Sequence, residues 1–143
     1  MNDMQDAHER VEHVRKLYAQ GVRLLDTECI FRIEDIVSGV RKGFLDYRRG
    51  SGPNSVELFD IAVEERRTGR GRSLVDTLIK HCASAGIKRI YAIARAENRI
   101  AGEFYEALNF RAVPLYDFYG VRTENGDRTV DAVMYVRDLE QYP

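Results

Sequence analysis

Twice in this chain a run with the period of a strand passes, within a few residues, into a run with the period of a helix. That alternation limits the architecture more than any other feature. Val56 to Val63 (VELFDIAV) is the most strand-like segment, and after a short turn Leu74, Val75, Leu78, Ile79 and Cys82 share one face of a helix over Arg72 to Ala85, with Gly86 as its left-handed cap. Arg89 to Ala94 (RIYAIA) is a nearly continuous apolar strand, the pattern of burial on both faces. Ala101, Phe104, Tyr105 and Leu108 then recur at helical spacing over Ala101 to Leu108. Strands joined through a helix run parallel, because a parallel pair needs a crossover.

The rest of the chain supplies hairpins and one more helix. Ala7, Val11, Val14, Tyr18 and Val22 mark an amphipathic helix from Asp6 to Leu24. Cys29 to Glu34 and Val40 to Tyr47 form an antiparallel pair about DIVSG, and Arg48 to Asn54 is a loop. Pro114 to Arg122 and Thr129 to Arg137 read as strands about ENGD, whose Asn125-Gly126 is a strong hairpin signal. The order of helix, three strands, helix, strand, helix and two strands predicts a mixed α/β (α+β) sheet that is parallel at one place only. At 143 residues it fits a single domain, 1–143, with one core.

Composition narrows the partners. Twenty-two Lys and Arg against 23 Asp and Glu leave a net charge of −1, so a local arginine cluster does not make a basic protein, and a dedicated nucleic-acid binder is disfavoured. Cys29 and Cys82 are far apart and outside any CxxC spacing, as for free thiols in a reducing compartment. His8, His13 and His81 stand apart from carboxylates and thiols at ligand spacing, so no metal is expected. No apolar run reaches membrane-spanning length and MNDMQDAHER is too polar for a signal peptide, which together predict a cytoplasmic protein.

Four arginines and two glycines crowd into Arg66 to Arg72 (RRTGRGR), between a central strand and a helix. The unpaired amides of a helix start favour an anion. Gly69 and Gly71 alternate with Arg70, so successive amides can turn into one concavity, the nest that suits phosphate oxygens. The arginines add fork-shaped donors. Neither a Walker A loop nor a dinucleotide GxGxxG is present. The same stretch also suits a solvated basic turn that caps a helix.

These residues carry a resemblance. RRTGRG matches RxxGxG, the acyl-coenzyme A pyrophosphate motif of the GNAT N-acetyltransferase superfamily, and it follows a strand ending in IAV, where that family has it. Downstream, RIYAIA, Asn98 and AGEFYEALNF look like the family's second motif, so the likeness covers about Val56 to Phe110. The resemblance implies the GNAT acyl-CoA N-acyltransferase fold, acetyl-CoA as co-substrate, no metal, and direct acetyl transfer to a primary amine of a small molecule. A protein, peptide or aminoacyl-tRNA acceptor, and a non-catalytic coenzyme A sensor, remain alternatives. The family usually begins with a strand before its first helix, whereas the helix is expected almost at once here, so an acceptor wall that is reduced or completed by a second subunit in a homodimer is the expectation.

The resemblance also implies roles for single residues. The strand VELFDIAV is expected to carry a bulge and splay from RIYAIA, with main-chain donors near Ile61, Ala62 and Val63 that bind pantetheine and polarise the thioester. Arg66, Arg67, Thr68, Gly69, Arg70, Gly71, Arg72 and Ser73 fall on the pyrophosphate turn, and Asn98, Ala101 and Phe104 on further cofactor contacts. Tyr105 corresponds to the tyrosine that protonates the departing thiolate; a phenol of pKa about 10 is protonated at neutral pH and suits that task. Tyr105 equally suits a core position, and Asn98 a helix N-cap. Glu57 and Asp60 are both carboxylates within a strand, where β-propensity disfavours them; the resemblance makes Glu57 the preferred base, since many members carry a glutamate near that position that acts directly or through water. A structural carboxylate bonded to an arginine or to backbone is the other reading. Strict alternation puts Glu57 and Asp60 on opposite faces unless a bulge intervenes. Tyr116, Asp117, Phe118 and Tyr119 fall where variable late strands border the acceptor, or form a packed edge strand.

Overall fold

The computed structural model describes residues 30–120 and 126–139. The expected helix from Asp6 to Leu24, Cys29 and Asn125 lie outside the described residues, as does any strand preceding that helix. Six strands and two helices follow in order: β1 (Ile30–Val37), β2 (Val40–Arg49), β3 (Ser55–Val63), α1 (Arg70–Ser84), β4 (Arg89–Arg95), α2 (Arg99–Ala107), β5 (Arg111–Tyr116) and β6 (Val130–Asp138). The sheet order is β1-β2-β3-β4-β6-β5. Among the described residues only β3 and β4 pair in parallel, as the α1 crossover demands.

Leu74, Val75, Leu78, Ile79 and Cys82 of α1 join Leu45, Val56, Leu58, Ile90 and Ala92 in one core that continues through Tyr105, Leu108, Phe110 and Tyr135. The predicted stripe of α1 is thus the buried one. Ile90 and Tyr91, on opposite faces of β4, are both buried, while Ile93 and Ala94 further along are half-buried.

Boundaries differ where local chemistry overrides periodicity. β1 runs on to Val37, because the turn is formed by Ser38 and Gly39, both at positive φ, rather than by the whole of DIVSG. Helix α1 begins at Arg70, two residues early, since Gly69 at φ 83 already serves as its N-cap. β5 occupies Arg111–Tyr116 instead of Pro114 to Arg122. It is an edge strand, so Pro114 is tolerated without a donor, and Asp117 at φ 52 ends it.

Candidate active site

The parallel ladder between β3 and β4 is short. It joins Ser55 to Arg89, Val56 to Ile90 and Glu57 to Tyr91, and then stops. Beyond it β3 continues for six residues and β4 for four without pairing to each other, so the sheet opens into a V. A bulge accompanies the opening: Asp46 stands opposite Asp60 and Tyr47 opposite Leu58, leaving Phe59 as the extra residue. Val56 and Leu58 lie in the core before the bulge, and Ile61 and Val63 pack on it after. Glu57 and Asp60, opposed under strict alternation, therefore share the face away from α1.

The open edge of β3 presents donors. Glu64 N–H donates to Lys42 O on β2 at 2.8 Å. Amides alternate sides along a strand, so Ala62 N–H points to β2, while those of Ile61 and Val63 point into the V. The three expected donors are therefore not equivalent.

At the mouth of the V sits the arginine and glycine turn. Arg67 at φ 63 and Gly69 at φ 83 are left-handed, and α1 follows immediately. Ser73 N–H closes the first helical turn on Gly69 O at 3.0 Å. No acceptor among the described residues receives the amides of Thr68 to Arg72. A Cβ built on Gly69 meets nothing within 4 Å, so the concavity above these amides is open. Gly71 has a different reason to be glycine: its Cβ would lie 3.0 Å from Cε1 of Phe104, which tucks against the helix start. Alternating left-handed residues, free amides and open space fit a pyrophosphate.

The arginines divide. Arg70 forms an ion pair with Asp35 of β1 at 2.9 Å, and Arg72 reaches Ala107 O of α2 at 3.4 Å. Arg66 and Arg67 are exposed and make no ion pair among the described residues. Thr68 Oγ1 donates to Glu65 O at 3.1 Å, which ties the turn to its approach. Asp35 gave no sign of this role in the sequence; only the approach of the β1–β2 hairpin to α1 reveals it.

Helix α2 brings the second group. Asn98 is its N-cap, with Oδ1 accepting from Ala101 N–H at 3.1 Å, so the capping role read beside the cofactor role is occupied and the side-chain nitrogen remains to donate. Ala101 and Phe104 pack against the core. Tyr105 is 6 % exposed, with its ring 5.2 Å from Phe104, 5.4 Å from Phe110 and stacked on Tyr135 at 5.3 Å. Tyr135 lies opposite Ala92, the first β4 residue beyond the parallel ladder, so the aromatic stack stands beside the start of the V. Burial, and then the neighbouring Tyr135, push the Tyr105 phenol well above its ordinary value, which keeps the proton on the oxygen. Burial also raises Tyr135, with Glu106 adding to it. A Cβ on Gly102 would lie 2.9 Å from the Tyr135 hydroxyl, so that glycine makes room for the stack. Nothing in the spacing of residues 129 to 137 singled out Tyr135.

Glu57 stands at the apex of the V, in the last rung of the ladder. Its carboxylate receives Arg48 Nε at 3.1 Å and Arg48 Nη2 at 3.0 Å, with both side chains largely buried. Arg48 in turn lies over the Phe59 ring at 4.9 Å. The ion pair predicted as the structural alternative is present, on the same face as Asp60. Among the described residues no three His, Cys, Asp or Glu side chains gather as a metal site, and no helix is long and apolar enough to cross a membrane.

Comparison with known proteins agrees with this fold. The acetyltransferase (GNAT) family matches residues 3–110. A ribosomal-protein alanine N-acetyltransferase from Escherichia coli superposes with a TM-score of 0.66 at 21% identity, covering 100% of this chain and 93% of that one. A Bacillus subtilis acetyltransferase in complex with CoA gives 0.65 at 23% identity over 78% of each chain. PaiA N-acetyltransferase from Thermoplasma acidophilum, in complex with coenzyme A, gives 0.60 at 17% identity, over 77% of this chain and 61% of that one. No curated protein matches by sequence.

Proposed function

The chain belongs to the acetyltransferase (GNAT) family, and we propose that it moves the acetyl group of acetyl-CoA directly onto a primary amine of a small molecule. The observation that carries this reading is the V between β3 and β4 with a free-amide nest at its mouth and a buried tyrosine beside its start. Acetyl-CoA, when bound, supplies an activated acyl group. Everything else is the work of the chain.

The amides of Thr68 to Arg72 hold the pyrophosphate, with Arg66 and Arg67 adding charge at the surface. Ile61 and Val63 N–H groups turn toward the V and polarise the acyl carbonyl, stabilising negative charge as it gathers on that oxygen. The side-chain nitrogen of Asn98 donates to the pantetheine arm. As the amine nitrogen bonds to the carbonyl carbon, the C–S bond breaks and the sulfur needs a proton. Tyr105, whose phenol is protonated at neutral pH, supplies it. The proton lost from the amine passes to Glu57, directly or through water, while Arg48 holds that carboxylate in place.

Thiol release from acetyl-CoA across amines, polyamines, amino acids, aminoglycosides and peptides tests the proposal. Turnover with small amines, reduced about 10²–10⁴-fold in Tyr105→Phe, is the expected result. Coenzyme A binding without turnover on any acceptor indicates a sensor instead, and turnover confined to peptides indicates a protein acetyltransferase.

A further inference from the structure

The V opens between β3 and β4, and the last residue of β4 on that open edge is Arg95. Ile90, Ala92 and Ala94 pack on the core, so alternation sends Arg95 to the opposite face, away from α1 and α2 and on the same side as Glu57. Its guanidinium lies over the ring of Tyr119, 4.8 Å from the centroid. Among the described residues it makes no ion pair.

This stacked arginine is held in a built setting. Asp131, 8 % exposed, accepts the amides of both Phe118 and Tyr119 at 2.8 Å, which fixes the segment after β5. Asp117 accepts Thr129 N–H at 3.2 Å and faces Arg128 at 3.8 Å. The two carboxylates flanking the aromatic pair are thus engaged elsewhere, and Arg95 keeps its donors. Phe118 and Tyr119, in edge contact at 4.9 Å, remain 50 % and 42 % exposed although their backbone is pinned. Fixed yet exposed aromatics beside a stacked guanidinium that has no ion pair among the described residues form a surface that matches a carboxylate attached to an apolar body.

We infer that Arg95, stacked on Tyr119 at the mouth of the V, is a specificity-determining residue that binds a carboxylate of the acceptor, so the acceptor is an amine of the amino-acid class. The inference rests on the acetyltransferase reading above and adds the substrate class to it. The guanidinium orients the acceptor by its acid group, Phe118 and Tyr119 cover its side chain, and the amine is left to face the thioester.

The test compares matched acceptors, phenylalanine with 2-phenylethylamine and lysine with cadaverine, in wild type, Arg95→Ala and Arg95→Lys. A fork-shaped, charge-assisted contact predicts kcat/KM about ten- to a hundredfold higher for the carboxylated member of a pair in wild type. Arg95→Ala should bring that ratio near one, chiefly through the acceptor KM, with the KM for acetyl-CoA unchanged. Arg95→Lys should recover part of it. Wild type that turns over both members equally, or a ratio that survives in Arg95→Ala, overturns the inference and leaves the acetyltransferase reading standing. Absence of thiol release with every amine removes the acetyltransferase reading and this inference with it.

Discussion

Replacing Gly69 by valine separates the backbone's part in cofactor binding from that of the arginines. Gly69 holds φ 83 as the N-cap of α1, and a left-handed conformation costs an ordinary L-residue roughly 1–2 kcal/mol, with β-branched residues faring worst. The surroundings add nothing, since a Cβ there meets no atom within 4 Å. The penalty is therefore conformational, and it emerges in one of two ways. If the turn gives up its left-handed step, the amides of Thr68 to Arg72 no longer converge, and the coenzyme A dissociation constant rises about 5- to 30-fold. If the turn keeps the step, the domain melts roughly 3–8 °C lower, and an isopropyl group stands in the open space the phosphates need. Affinity falls either way. Asparagine enters the left-handed region readily, so Gly69→Asn should stay within about threefold of wild type. Calorimetric titration with coenzyme A, alongside thermal melts, reads both quantities. Wild-type affinity in Gly69→Val refutes the cradle, and an equal loss in Gly69→Asn shows that open space rather than φ is what counts.

Two further outcomes follow from buried groups. Asp46 is fully buried and receives Arg32 Nε at 2.8 Å and Nη2 at 3.1 Å, so Asp46→Ala, which removes this carboxylate from the Arg32 guanidinium, should lower stability in urea denaturation by more than replacing both residues together by Met and Leu. Cys82 is buried and its thiol is pushed from an ordinary 9.0 to about 11 by burial, so it should resist thiol reagents at pH 8 in the native protein. A raised folded-state pKa stabilises the fold below the unfolded value. That contribution should decline between about pH 9 and 11, and Cys82→Ala should flatten the stability profile there.

Much of the fold was legible because its signals are local. The stripe Leu74, Val75, Leu78, Ile79 and Cys82 needs only helical periodicity, and Gly69 declares the turn by its own conformational freedom. The parallel pairing of β3 with β4 follows from the crossover alone. What stayed hidden depends on residues distant in sequence. The bulge at Phe59 puts Glu57 and Asp60 on one face, and it is defined only by register against β2. Gly71 looked like a second permissive glycine, yet Phe104, more than thirty positions away, is what requires it. The sequence places Arg70 on the phosphate turn with no partner nearby in the chain, and β1 delivers Asp35 to it. β5 ends before its aromatic pattern does: Tyr116 to Tyr119 continue that pattern, whereas the carboxylate of Asp131 holds the amides of Phe118 and Tyr119 out of the ladder. A side chain competing for backbone donors leaves no periodic trace.

The central claim is that the acetyl group passes from acetyl-CoA to an amine without residing on the protein. Incubation with acetyl-CoA carrying an isotopic label in its acetyl group, followed by mass spectrometry of both protein and amine, tests it most directly. The account predicts label on the amine nitrogen in amounts matching the thiol released, and an unchanged protein mass when acetyl-CoA is supplied alone. Label retained on a side chain and then chased onto the amine would contradict it.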